Sequence, residues 1–163
     1  MEPRSGCPIN AAVDVLGDRW SLLVLRDVIF NDRRYFRALL TGSERIASNI
    51  LADRLKRLLD AGILTRGAAG RGQRARFSLT EAGIQTVPIL YALGNWGLDW
   101  RSCSDELEAR QKLMRDEGPA FIEELMDELR VRHLDAPPKP HSGSRPFERL
   151  DAAYAAASDP TSL

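Results

Sequence analysis

The sequence predicts a mainly helical fold that carries one small β-hairpin, and three observations predict it. Apolar residues at Ile46, Ile50, Leu51, Leu55, Leu58 and Leu59 recur in steps of three and four, which puts them on one side of an α-helix. Gly62 follows, where a chain leaving a helix often needs positive φ. Ile63–Arg66 and Arg76–Leu79 then read as two short strands around a tip containing Gly67, Gly70 and Gly72. Helix, strand, glycine-rich turn, strand is the order of a winged helix. A short helix ahead of it makes a winged helix-turn-helix.

The elements follow in order. Residues 7–16 suggest a first helix, with Pro8 tolerated near its start and Ile9, Val13 and Leu16 on one face. Gly17 stops it. Asp18 is placed to cap a second helix, Arg19 to Ile29, whose Trp20, Leu23, Val24 and Val28 put it at the centre of the core. Asn31-Asp32 breaks that helix. A short third one runs from about Tyr35 to Leu40, and Thr41-Gly42-Ser43 turns into the helix described first. Its start falls at Ala47 or Ser48.

After the wing, Thr80 and Glu81 open a long helix. Pro88 bends it or marks its true first turn. Its apolar residues Ile84, Val87, Leu90, Leu93, Trp96 and Trp100 are more than one small domain can cover, which predicts a helix shared between two subunits. Two further helices, 104–117 and 119–134, are separated by Gly118-Pro119. The second carries Phe121, Ile122, Leu125, Met126 and Leu129 on one side. Residues 136–145 are linker material. Phe147 to Ala157 forms a terminal helix whose few large apolar groups leave its ordering dependent on a partner. The organisation is thus a winged helix-turn-helix and dimerisation domain over 1–101, an acidic helical extension over 102–135, and a proline-rich linker and tail over 136–163.

Charge separates these parts. The chain as a whole balances 23 basic against 23 acidic residues. Between Asn31 and Arg76 there are eleven basic and four acidic residues, an excess of seven. From Asp99 to Asp135 there are six basic and eleven acidic residues, an excess of five the other way. The first part suits a polyanion and the second repels one.

Other function classes find little support. Cys7 and Cys103 make neither a disulfide framework nor a metal spacing, and His133 and His141 both lie late in the chain. No phosphate loop, no run of eighteen apolar residues and no secretory leader is visible, so no enzyme chemistry, cofactor or membrane span is expected, and a cytoplasmic protein is. A protein-interaction adaptor on a winged-helix scaffold is one rival reading. A ligand sensor is another, in which Tyr91, Trp96, Trp100 and Phe121 line a pocket or the dimer core.

Several ordered pieces carry a family resemblance: Cys7-Pro8-Ile9, Gly17-Asp18-Arg19-Trp20 with Leu22 to Leu25, Arg34 to Leu39, Ile46 to Leu55, Gly62-Ile63-Leu64, Phe77 to Gly83 and Trp96. Over residues 6–100 the chain resembles the HxlR-type transcriptional regulators, relatives of the MarR group. The resemblance implies a homodimer, paired through its first helix and the helix after the wing. It also implies binding to palindromic operator DNA, commonly to repress a nearby operon. The arginine-rich wing and the long tail depart from the family pattern, so the resemblance assigns the tail no role.

On a duplex, the recognition helix presents Ser48, Asn49, Ala52, Asp53 and Lys56 opposite its apolar side. Asn49 can pair with adenine, and Lys56 can reach guanine or phosphate. Asp53 either accepts from a cytosine amino group, orients a neighbouring arginine, or pairs with Arg57 one turn on. Arg54 contacts phosphate or pairs within the domain. Arg71, Arg74 and Arg76 follow the minor groove or backbone at the wing, and Arg34 anchors a phosphate before the third helix. Cys7, near a helix start, is either a reactive thiolate or a small apolar packing residue. The resemblance adds that family members use a cysteine here to sense oxidants or electrophiles.

Overall fold

The computed structural model describes residues 6–68, 74–141 and 143–158. Two compact units divide the chain, Met1–Gly83 and Ile84–Leu163.

In the first unit, α1 (Pro8–Leu16), α2 (Arg19–Phe30), α3 (Phe36–Leu40) and α4 (Ser48–Asp60) precede β1 (Leu64–Arg66) and β2 (Phe77–Leu79). α2 is the core helix, burying Val24, Leu25, Val28 and Ile29. Asp18 caps it as expected, accepting from the amides of Trp20 at 2.9 Å and Ser21 at 3.0 Å. The strands pair antiparallel, with Leu64 opposite Leu79 and Arg66 opposite Phe77. Leu64, Phe77 and Leu79 turn inward. α1 buries no residue, and Ile9 and Val13 stand in solvent on one face.

α5 (Glu81–Ile84) begins where Thr80 Oγ1 accepts from the Gly83 amide at 3.1 Å. The second unit then contains α6 (Val87–Trp100), α7 (Asp105–Leu134) and α8 (Pro146–Ser158). Pro88 falls in the first turn of α6, where a missing N–H is harmless, rather than inside a continuous helix. α7 is two helical segments broken at Gly118, whose φ of 72° is open to glycine and whose neighbour Pro119 cannot donate to the preceding turn. Gln111 and Arg115 of α7 fasten α6 through Asn95, with Gln111 Nε2 2.8 Å and Arg115 Nε 3.2 Å from its Oδ1.

The terminal helix does not await a partner. α8 packs on α7 through buried Phe147 and Leu150. Arg149 pairs with Glu117 and Glu124. Arg132 and Arg149 lie over the rings of Phe147 and Phe121. Glu128 accepts the Phe147 amide at 3.3 Å, a carboxylate at the positive end of a helix.

Candidate nucleic-acid interface

α4 is fixed from inside by Leu51, Leu55 and Leu58, all buried, each worth about 1.5–3 kcal/mol when removed from water. The same spacing turns Ser48, Asn49, Ala52, Asp53 and Lys56 outward, and all five are exposed. Ala47 supplies no side-chain cap, so first-turn amides remain open to an anion or a base edge. At the other end Gly62 adopts φ 68°. Its amide donates to the Leu59 carbonyl at 3.0 Å, and the Ile63 amide to the Leu58 carbonyl at 2.9 Å. This left-handed cap turns the chain directly into β1.

Two polar clusters hold α4 from behind. In the first, Asp18 adds to its capping role an ion pair with Arg54, whose Nε lies 3.0 Å from Oδ1. Burial alone would raise the Asp18 carboxyl. The hydroxyl and amide of Ser21 and the charge on Arg54 overcome that and hold it below the usual carboxylate range. Arg54 is thus paired within the domain, which is one of the two roles open to it. In the second cluster, buried Asp27 receives Arg26, Arg33 and Asn31, at 2.7, 3.0 and 3.1 Å. Arg26 also grips Glu44 with both terminal nitrogens, at 2.6 and 2.9 Å. The cluster ties the end of α2 to the loop entering α4. The hydrogen bonds from Arg26 hold the Glu44 carboxyl down at about 2.

Arg34 corrects the expectation made for it. It is only 3% exposed. Its Nε donates to the Phe77 carbonyl at 3.0 Å and its Nη2 to the Ser78 hydroxyl, while the Phe77 amide donates to the Arg34 carbonyl at 2.8 Å. A guanidinium engaged this way cannot reach a phosphate without leaving β2. Arg34 is a strut that fastens the wing to the start of α3.

The outward charges divide into two groups. On α4, Asp53 Oδ2 lies 3.1 Å from Arg54 Nη1 and from Arg57 Nε, so Asp53 is the centre of a surface pair rather than a lone acceptor. Lys56 Nζ lies 2.9 Å from Asp60, which holds the ammonium above its usual value. Around α4, Arg74 and Arg76 of the wing are exposed, and so are Arg37, Arg45 and Arg66, which residue-by-residue reading of the sequence did not single out. Arg45 is the most telling of these. It precedes α4 in a left-handed turn at φ 53°. Its only signal in the sequence is its part in the basic excess. Arg71 lies outside the described residues.

Cys7 is exposed at the cap position of α1. The four aromatic residues do not enclose a shared pocket. Trp96 and Trp100 stand in solvent, 54% and 67% exposed, whereas Phe121 is sealed beneath Arg149. A cavity of about 120 Å³ opens elsewhere, between α7 and the segment before α8, lined by Asp127, Glu128, Val131, Lys139 and Arg145 among others.

Residues 15–105 match the model of the HxlR-like helix-turn-helix family. The chain belongs to that family. Among its relatives is sll1512 of Synechocystis, an uncharacterised HTH-type transcriptional regulator. It is 33% identical over 114 residues, 69% of this chain and 82% of the relative. YdeP of Bacillus subtilis, described in the same way, is 28% identical over 66% of this chain and 84% of its own. The crystal structure of PA1607, a candidate transcription factor, superposes with a TM-score of 0.56 at 33% identity. That match covers 63% of this chain and 70% of the other. The oxidised redox regulator HypR shares the fold at a TM-score of 0.53 and 24% identity, over 60% of this chain and all of its own. This HxlR-like chain is therefore an HTH-type transcriptional regulator, a DNA-binding protein and not an enzyme. Among its described residues no helix is long and apolar enough to cross a membrane.

Proposed function

We propose that this regulator acts as a homodimer on a palindromic operator, represses a nearby operon, and is released by a small molecule or by an electrophile or oxidant. The observation that carries the reading is the outer face of α4. Ser48, Asn49 and Ala52 stand exposed there, flanked by exposed Arg45, Arg74 and Arg76. In the major groove such a face offers Asn49 to adenine while the flanking arginines and Arg71 hold the backbone. Two copies give two half-sites about one helical turn apart. The dimer is supported by α6, which lines up Ile89, Leu93, Trp96 and Trp100 in solvent at steps of four, three and four, and by Ile9 and Val13 on α1. Cys7, exposed ahead of α1, is the residue proposed to meet the electrophile.

A protection footprint on the intergenic DNA beside its own gene tests the reading. Two protected half-sites are expected, and Arg71→Glu with Arg74→Glu weakens binding to every sequence. Diamide releases the unaltered protein and spares Cys7→Ser. Unprotected intergenic DNA at low salt would refute operator binding, and equal release of Cys7→Ser would refute the sensor role alone.

A further inference from the structure

The cations that α4 carries on and beside its outer face are already held by acids. Asp53 holds both Arg54 and Arg57, and Asp60 holds Lys56. Arg54 is drawn further inward by Asp18. Off α4 the pattern reverses. Arg37, Arg45, Arg66, Arg74 and Arg76 are exposed, and the ion pairs among the described residues include none of them. The helix placed to read bases is close to self-neutralised, while its surroundings carry open positive charge.

That division has a consequence for selectivity. Phosphate contacts raise affinity on every sequence alike, and what matters for finding one site is the ratio of matched to unmatched binding. A free arginine on α4 would grip phosphate at any position along the duplex and lower the ratio. We propose that Asp53 is a specificity-determining residue. By holding Arg54 and Arg57, and by repelling phosphate itself, it withholds the reading helix from backbone capture and leaves capture to the flanking arginines. On a matched site the base contacts of Ser48, Asn49 and Ala52 supply what α4 withholds elsewhere. The inference rests on the operator-binding reading above and adds a role that no base contact by Asp53 would produce.

Asp53→Asn removes the charge and keeps the shape at a half-exposed position, and Asp60→Asn frees Lys56 by the same logic. The full-length protein is titrated with a random-sequence duplex and with the intergenic duplex beside its gene, across a salt series. For Asp53→Asn, random-duplex affinity is expected to rise about two- to fivefold, the scale of one exposed ion pair. The salt slope should steepen by about 0.9 for one added phosphate contact. Intergenic affinity rises less, so the ratio falls, and Asp60→Asn moves the same way. Random-duplex affinity and slope unchanged in both variants overturn the proposal. So does a loss confined to the intergenic duplex in Asp53→Asn, which makes Asp53 an acceptor for a cytosine amino group. An unaltered protein that binds both duplexes while the variants match it refutes this inference alone. Failure of the unaltered protein on both refutes operator binding and this inference with it.

Discussion

Acid should dismantle the helix-turn-helix at a defined place. The Glu44 carboxyl sits at about 2 in the folded protein, against an ordinary 4.5, because Arg26 donates to both of its oxygens. A carboxyl whose folded value is depressed adds stability that is complete above its unfolded value and is lost as pH falls through the folded one. The window here runs from about 4.5 down to about 2. At about 1.4 kcal/mol per unit the ceiling is roughly 3 kcal/mol. The pair is partly exposed, with side chains 31% and 27% accessible, and solvent screening reduces the expected contribution to about 1–2 kcal/mol. Glu44→Gln removes this contribution at neutral pH. The assay is urea unfolding from pH 7 to pH 3, with Trp96→Phe and Trp100→Phe so that Trp20 alone reports on the first unit. Asp18, also depressed, contributes to acid loss in both proteins, so the quantity to read is the difference between parent and variant. It should start at about 1–2 kcal/mol and shrink steadily below pH 4.5. A difference that is absent at pH 7, or that stays constant down to pH 3, would refute the assignment of Glu44 as the acid-sensitive brace of α4.

Three further changes test other supports. Arg34→Met leaves the Phe77 carbonyl without its guanidinium donor, and urea unfolding should register a loss of roughly 2–3 kcal/mol, accompanied by weaker DNA binding as the wing loosens. Gly62→Ala meets open space but must hold φ 68°, so it should cost about 1 kcal/mol by conformation alone; an unchanged unfolding midpoint would remove the left-handed cap as the terminator of α4. Leu93→Glu places a charge in the middle of the exposed α6 stripe, and light scattering should show the parent at twice the monomer mass and the variant at the monomer mass.

What could be read in advance divides according to range. α4 was legible because its period and its terminating glycine lie within seventeen residues, and the Asp18 cap because its partners are two and three residues away. Arg34 was not legible. Its carbonyl partner is 43 residues on, and the sequence displays the sign of a charge without showing whether the fold will bury it. Asp27 was missed for the second reason alone: its partners Arg26, Asn31 and Arg33 are all within six residues, but its burial among them follows only from the fold. The docking of α8 escaped a count of apolar groups because much of it is made by arginine on aromatic rings and by Glu128 at a helix start. Trp96 and Trp100 show a different limit. Helical spacing identifies an apolar stripe on α6, and it is equally good for a pocket wall, a core and a subunit interface. Exposure leaves both tryptophans in solvent in the single chain, and the subunit interface is the reading proposed above for them. The paired charges on α4 carry the argument furthest. In the sequence they register as three cations diluted by two acids, a weaker footprint than the wing's. In the fold those acids pair with all three cations, Asp53 with Arg54 and Arg57 and Asp60 with Lys56, and it is this pairing that the Asp53→Asn and Asp60→Asn titrations put to the test.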